Sequence, residues 1–463
     1  MDTQVQTQRK PAGPGRVAFA SFIGTTVEWY DFFIYGTAAA LVFNQLFFPT
    51  VDPLTGTLAA FATFAVGFVA RPIGAVAAGH IGDRVGRKTI LVSSLMVMGV
   101  ATLLIGLLPT YGTIGLWAPL LLTVLRFCQG LGVGAEWGGA VLMATEHAPT
   151  GKRGFYGSWP QMGVPAGSLL ATATFAIVSA TSGDSFVTWG WRIPFLLSAV
   201  LVVTGLAIRL RLEDSPAFHA VKATGQTARR PVVEVLRRHP RNIVLAIGAR
   251  FSDTLIFYIV SLFVLTYAGT TLGLPRDLVL TGVLLGSALE LLTIPALGAL
   301  SDRIGHRRVF LAGAAFAALF AYPFFLLIDT GDTWAVWLAV ILMLNGGHAP
   351  TFATSAALLT ELFPARTRMS GASVSYNISS MLAAAPAPIV ATGLLDWAGG
   401  RPWPVALYMA AGALFAFCSV LAVRETFGDP LDPHGAPVSV PDPARRAGIP
   451  CPAGEASTGT KGR

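Results

Sequence analysis

Apolar runs follow one another along this chain from Val17 to Val423, separated by short polar clusters. A helix that crosses a bilayer needs ~20 mostly apolar residues. The runs predict spans near 17–45, 57–80, 89–108, 114–146, 155–180, 191–211, 243–272, 278–300, 309–328, 333–362, 370–395 and 403–423. That is an all-α membrane protein with twelve transmembrane helices.

The polar clusters alternate in charge. One set of loops carries Arg9, Lys10 and Arg16, then Arg84, Arg87 and Lys88, then Lys152 and Arg153. It continues with the basic stretch from Arg209 to Arg241, then Arg303, Arg307 and Arg308, then Arg366 and Arg368. The other set holds Asp52, Asp184, Asp329 and Asp332, with Arg276 and Arg401 as its clear cations. Lys and Arg concentrate on the cytoplasmic side. Both termini are therefore expected in the cytoplasm, which requires an even number of spans in a plasma (inner) membrane.

Composition agrees with lipid as the solvent: 53% of residues are hydrophobic and 12% charged, against about a quarter charged in soluble domains. The net charge of +8 sits in loops and forms no basic-aromatic patch, so nucleic acid is not an expected partner. Cys128, Cys418 and Cys451 have neither disulfide nor zinc spacing, and no metal or cofactor is expected. The first apolar run contains Glu28 and Asp31 and lacks a small-residue cleavage site, unlike a cleaved signal peptide.

The chain repeats itself. Gly79-His-Ile-Gly82-Asp83-Arg84-Val-Gly86-Arg87-Lys88 follows the second run, and Gly298-Ala-Leu-Ser-Asp302-Arg303-Ile-Gly305-His-Arg307-Arg308 follows the eighth. Glu146 and Arg153 bracket the loop after the fourth, as Glu361 and Arg368 do after the tenth. Two parallel six-helix halves are expected, with a solute site between them near the midplane. The division is 1–16 as a cytoplasmic segment, 17–211 and 243–424 as the halves, 212–242 as a cytoplasmic linker and 425–463 as a disordered tail.

The Gly79–Lys88 run and its second copy resemble the signature of the major facilitator superfamily. Further runs resemble its metabolite:proton symporter branch, which includes carriers for proline/betaine, shikimate, α-ketoglutarate and citrate. They are Val27-Glu-Trp-Tyr-Asp-Phe-Phe-Ile-Tyr-Gly36, Arg71-Pro-Ile-Gly74, Arg126-Phe-Cys-Gln-Gly130 with Glu136-Trp-Gly-Gly-Ala140, Arg153-Gly-Phe-Tyr-Gly-Ser158, Trp191-Arg-Ile-Pro-Phe195 and Glu361-Leu-Phe-Pro364. The resemblance implies the major facilitator fold and alternating access. It implies gating by Gly79, Gly82, Asp83, Arg84, Gly86 and Arg87, with Asp302 and Arg303 in the second copy. Gly82 and Gly86 are read as permitting a tight turn. Asp83 is read as meeting a helix N-terminus or a neighbouring arginine. The chain departs from the branch at Ala384 and Ala385, where glycines are expected, and at the Arg250/Asp253 pair.

Charged residues at membrane depth cost at least ~2.5 kcal/mol for Asp, Lys or Arg at a helix centre, so each is a functional candidate. Glu28 and Asp31, at i,i+3, share a helix face with Tyr35. Two neighbouring carboxylates in a partly dry cavity suit a proton carrier, and the sequence does not choose between them. The structural alternative is a fixed pair with Arg71 or Arg126. On the fourth helix Arg126, Gln129 and Glu136 form one stripe, Glu136 falling about 20° from Gln129. Arg126 heads a motif that the resemblance implies in proton coupling, so the proton set is Glu28, Asp31, Arg126 and Glu136. Gly130 and Gly134 suit close helix packing.

Arg250 either pairs within its helix with Asp253 or faces the cavity to bind a carboxylate, with Glu290 as a partner. His348 reads as a packing residue or a proton relay. The substrate-facing set is Tyr35, Gln129, Trp137, Gln161, Arg250, Asp253, Tyr376 and Asn377. No HExxH, Walker loop or nucleophile elbow is present, so the chain is not read as an enzyme. It is expected to work as a monomer on a small molecule and protons, importing an organic acid or zwitterion by symport. The alternative is an efflux antiporter for drug-like compounds.

Overall fold

The computed structural model describes residues 13–51, 53–210 and 231–424. The expected tail, most of the N-terminal segment and most of the linker lie outside the described residues. Among the described residues there are helices and no strands.

The long helices are α1 (Pro14–Ala38), α2 (Pro53–Val85), α3 (Arg87–Leu107), α4 (Trp117–Glu146), α5 (Arg153–Ser182) and α6 (Arg192–Leu210). The second half holds α7 (Pro240–Tyr258, continuing through a π-turn to Thr270), α8 (Arg276–Ile304) and α9 (His306–Asp329). It is completed by α10 (Thr333–Leu362, with a π-segment at Met343–His348), α11 (Arg368–Ala383, then Ala387–Trp397) and α12 (Trp403–Leu421). Eleven of these are long and apolar enough to cross a membrane. The other is α1, whose hydropathy is lowered by Glu28 and Asp31, and its polar face is covered by the bundle instead. A separate short helix, Pro231–Arg238, precedes α7. The break in α11 falls at Ala384–Pro386, where the resemblance leads to an expectation of glycines.

Lipid offers no hydrophobic drive between helices, so close van der Waals packing decides which faces meet. Glycine supplies it. A Cβ on Gly134 would strike the Arg71 carbonyl, and one on Gly130 the Gly67 carbonyl, so α2 and α4 touch backbone to backbone. Gly163 and Gly167 of α5 receive Thr25 and Trp29 of α1 in the same way. Outward faces carry Leu292, Leu319 and Ile389, all largely exposed, as a lipid-facing surface needs.

Hydrogen bonds and ion pairs join the halves at the end where the chain enters α1 and leaves α12. There Asp83, at the end of α2, accepts from Met369 N (3.3 Å), Ser370 N (3.0 Å) and Ser370 Oγ (2.7 Å) at the start of α11. In the second copy, Asp302 of α8 accepts from Gly154 N (2.7 Å) and Phe155 N (2.8 Å) at the start of α5. Each carboxylate caps a helix N-terminus of the opposite half, where unpaired N–H groups and the helix dipole favour an anion. Cations complete both latches. Arg87 lies 3.7 Å from Asp83 and 3.6 Å from Glu146, which also takes Arg368 at 3.1 Å. Across the bundle Glu361 takes Arg153 at 3.2 Å and His306 at 3.7 Å.

Two expectations change here. Gly82 is helical, and within the repeated signature the turns are made by Gly86 (φ 124°) and its counterpart Gly305 (φ 104°). Gly79 and Gly82 serve contact instead: a Cβ on Gly79 would lie 2.8 Å from Ser370 Cα, and one on Gly82 would strike Met369. Arg84 and Arg303 are exposed and stand outside the latch, whereas Arg87, Arg153 and Arg368, read as loop cations, are buried in it.

Candidate functional site

Between the halves lies a small, partly enclosed cavity whose lining includes Trp29 of α1, Arg71 of α2, Arg250 and Tyr258 of α7, His348 of α10 and Tyr376 of α11. The helices place these residues by their registers: Arg250, Thr254 and Phe257 recur at helical spacing on the inner face of α7, and Tyr376 and Ser380 on that of α11.

Two guanidiniums face the cavity from opposite halves. Arg250 pairs with Asp253 and donates to Ser355 Oγ (3.1 Å), while its Nε has no hydrogen-bond partner. Its charge lies over the rings of Tyr376 (4.5 Å) and Phe352 (5.0 Å). Arg71 lies over Phe32 and Phe68, each at 4.6 Å, and its NH2 group lacks a partner. Both arginines are buried. A buried guanidinium with an open donor is costly unless something accepts from it.

Of the residues expected to face substrate, Arg250 and Tyr376 line the cavity. Trp137 and Gln161 support its wall. Trp137 stacks on Tyr376 with centroids 4.0 Å apart and donates to Gln161 Oε1 (2.8 Å). Gln161 in turn donates to the Phe352 carbonyl (2.9 Å) and Ser355 Oγ (3.2 Å). Asp253 anchors Arg250 and accepts from Thr254 N (2.6 Å). Asn377 belongs to the contact between halves, donating to the Gly134 carbonyl at 3.0 Å. Tyr35 and Gln129 lie inside the first half. The Tyr35 hydroxyl is 2.6 Å from Thr63 Oγ1, and Gln129 donates to Thr102 (2.7 Å).

The expected proton set also resolves into contacts. Thr102 Oγ1 donates to Asp31 Oδ2 (2.8 Å), Gln129 Nε2 to Thr102, and Arg126 to Gln129 Oε1 (3.1 Å). This is a buried chain from cation to carboxylate. Arg126 lies 4.3 Å from the Tyr35 ring centroid and 4.8 Å from that of Phe32, and its Nε and NH2 are unpartnered. Glu28 is buried with Oε2 unpartnered. Among the described residues neither Glu28 nor Asp31 forms a salt bridge with Arg71 or Arg126, so the helices do not build the fixed-pair alternative. Glu136 is bound to Arg209 of α6 and accepts from Ser94 (2.7 Å). Arg209, read from sequence as a loop cation, is therefore a buried partner.

Sequence reasoning left Arg71 and His348 out of the substrate-facing set, although both line the cavity. Arg71 sits within a run that resembles the family's, and its charge at membrane depth was the available signal. Glu290 does not partner Arg250: it meets His348, Nδ1 to Oε1 2.6 Å. That pairing joins α8 to α10, and nothing in the spacing of either helix announces it.

Comparison with known proteins places this geometry. Residues 17–241 match the family described as sugar (and other) transporter, and residues 278–450 match the Major Facilitator Superfamily. The shikimate transporter of Escherichia coli (strain K12) is 43% identical over 414 residues, covering 89% of this chain and 94% of that protein. The inner membrane metabolite transport protein YhjE of the same strain is 44% identical over 417 residues, covering 89% and 94%. Its proline/betaine transporter is 34% identical, covering 89% and 84%. Among solved structures, the proton:xylose symporter XylE bound to 6-bromo-6-deoxy-D-glucose superposes with a TM-score of 0.70 at 16% identity, over 90% of this chain and 97% of that one. That likeness gives the fold: two six-helix halves. The chain is a membrane-spanning transporter rather than an enzyme, and it belongs to the major facilitator superfamily, in its metabolite:proton symporter branch.

Proposed function

We propose that this protein imports a small organic acid or zwitterionic metabolite together with protons, by alternating access across the plasma (inner) membrane. The observation that carries the reading is the cavity with Arg71 and Arg250 on opposite walls, each holding a donor without a protein partner. A carboxylate between them accepts those open donors, and the aromatic walls of Trp29 and Tyr376 cover the rest of a small solute. The E. coli relatives named for shikimate and for proline/betaine carry solutes with a carboxylate, which supports the same class.

Binding draws the halves together because each supplies one arginine. Transport then requires the latches of Asp83 and Asp302 to open at the terminus-bearing end while the other end closes. Glu28 and Asp31 are the proton carriers in this scheme. Both are buried beside the cavity wall formed by α1, and each has an oxygen without a hydrogen-bond partner. Arg126 acts on Asp31 through Gln129 and Thr102. Glu136 sets the local field on Glu28, which lies within electrostatic reach of Glu136, Arg71 and Arg209. The alternation of loop charge supports cytoplasmic termini, and the unit of function is the monomer, divided as 1–16, 17–211, 212–242, 243–424 and 425–463.

The test is uptake into proteoliposomes of labelled proline, betaine, shikimate, α-ketoglutarate, citrate and aromatic acids, with and without an inward proton gradient. Gradient-stimulated accumulation of one of them, collapsed by an uncoupler, is the expected result. Efflux of bulky apolar compounds with no gradient-driven uptake of any acid overturns it.

A further inference from the structure

The two halves differ in their mid-depth charge. The first half buries Glu28, Asp31 and Glu136 against Arg71, Arg126 and Arg209, three acids and three permanent cations. Among the described residues the second buries Asp253 and Glu290 at mid-depth against Arg250, with His348 as the remaining partner. Arg250 is committed to Asp253. Glu290 is fully buried on α8, its Oε1 is 2.6 Å from His348 Nδ1 and its Oε2 has no hydrogen-bond partner. The second half is therefore electrically balanced only when a proton resides on the Glu290–His348 pair. Without it, one negative charge stands uncompensated in a dry interior, a costly arrangement.

The pair is also connected to the cavity. His348 forms part of its wall and Glu290 stands behind it. His348 is held in place by Phe352 (ring centroids 4.9 Å) and Phe257 (5.4 Å). The charged and titratable groups around it are few. Helix α7 contributes Arg250, Asp253 and Tyr258, α2 contributes Arg71, and α11 contributes Tyr376. Helix α5 brings the neutral Gln161. Helix α9 carries no ionisable residue between Arg308 and Asp329 other than Tyr322, which is exposed.

We infer that the Glu290–His348 pair is a second proton-binding site, in the C-terminal half, loaded from the cavity through His348 and coupled to solute through Arg250. This rests on the proton-coupled reading above and adds a site to it. The step moves one proton from the cavity to His348, where the hydrogen bond shares it with Glu290; no other bond changes. A solute carboxylate docking on Arg250 adds negative charge beside the pair. Protonation of the pair then becomes more favourable, and by linkage a protonated pair binds the solute more tightly. That reciprocity is what symport requires.

Proteoliposomes of wild type, Glu290→Gln and His348→Gln test this, with labelled shikimate as the first probe and the rest of the panel after it. Accumulation under an imposed proton gradient is measured beside exchange at equal pH on both sides. Proton uptake on solute binding is followed in detergent with a pH-indicator dye. Glu290→Gln, a neutral mimic of the loaded carboxyl, is expected to keep equal-pH exchange within a few-fold of wild type. It should lose gradient-driven accumulation by tenfold or more and take up fewer protons per solute. His348→Gln keeps a donor to Glu290 but no titrating ring, and loses accumulation in the same way. Wild-type accumulation and proton uptake in both variants overturns the inference while leaving proton coupling intact. So does a monodisperse variant pair that binds solute but no longer exchanges it. A wild type that shows neither accumulation nor proton uptake with any member of the panel instead removes the proton-coupled reading itself.

Discussion

Asp83→Asn is the most direct perturbation of the closed end. One Asp83 oxygen accepts from Met369 N, and the other from Ser370 N and Oγ. An asparagine keeps one oxygen. Placed on the Ser370 side it preserves two bonds and turns an NH2 group toward the Met369 N–H, donor against donor. A buried donor left without an acceptor costs ~1–3 kcal/mol, and the two remaining bonds fall from charge-assisted to neutral strength. Loss of the anion at the α11 N-terminus removes a further ~0.3–1 kcal/mol, and burying a neutral amide instead of a carboxylate returns part of the total. The net is about 2–3 kcal/mol against the closed end, roughly 30- to 150-fold in the equilibrium between closed and open. Ser373 reports it, because it is fully buried against Gly138 one turn further along α11. With Cys128, Cys418 and Cys451 replaced, a cysteine at position 373 should react with a soluble maleimide faster by about that factor in the Asp83→Asn background. Asp302→Asn should act in the same direction through the other latch. An unchanged labelling rate in a monodisperse Asp83→Asn protein would refute the view that this carboxylate holds the closed end shut.

Three further outcomes are expected. Arg250→Lys keeps the charge but loses the planar fork that binds Asp253, Ser355 and a carboxylate together; half-maximal uptake should need roughly tenfold more solute, a loss of about 1.4 kcal/mol. Glu28→Gln and Asp31→Asn should each abolish accumulation driven by a pH gradient while sparing part of the exchange at equal pH, and normal accumulation in both would remove α1 from proton transfer. Glu136→Gln leaves Arg209 buried without its ion pair, which costs ~3–5 kcal/mol. The thermal midpoint in detergent should fall clearly and recover in large part when Arg209→Met is added.

Much of this architecture was legible because lipid imposes a simple rule on length and polarity. The apolar runs gave twelve spans, and their ends differ from the observed helices mainly where α2, α8 and α9 continue through polar residues up to the turns at Gly86 and Gly305. The repeat of Asp83 at Asp302 was visible, as was the pairing of Asp83 with a helix N-terminus or an arginine. Which helix each would meet was not. Asp83 reaches α11 and Asp302 reaches α5, more than a hundred residues away in each case, and no local pattern encodes that distance. The role of Gly82 was misjudged for the same reason: a glycine needed by a neighbour and one needed by a turn look alike in sequence. Within the cavity, Arg250 and Tyr376 were found because charge and aromatic rings at membrane depth stand out. Arg71 and Glu290 stood out equally, but their partners depend on helix rotation.

The charges that join the halves also bear on how such a protein moves. Burying an ion pair is nearly balanced between desolvation and attraction, so a latch of this kind contributes far less net stability than its contacts suggest. An apolar seal of the same area would be favourable without compensation and would hold one state. Here Arg87, Glu146 and Arg368 are all buried in the closed end, and each regains hydration when that end opens. Opening exchanges pairing for water at small net cost, which keeps the alternative states within a few kcal/mol of one another. A solute that adds one carboxylate to Arg71 and Arg250 then supplies a free energy of the same order. That comparability lets a small molecule decide which way a twelve-helix bundle faces.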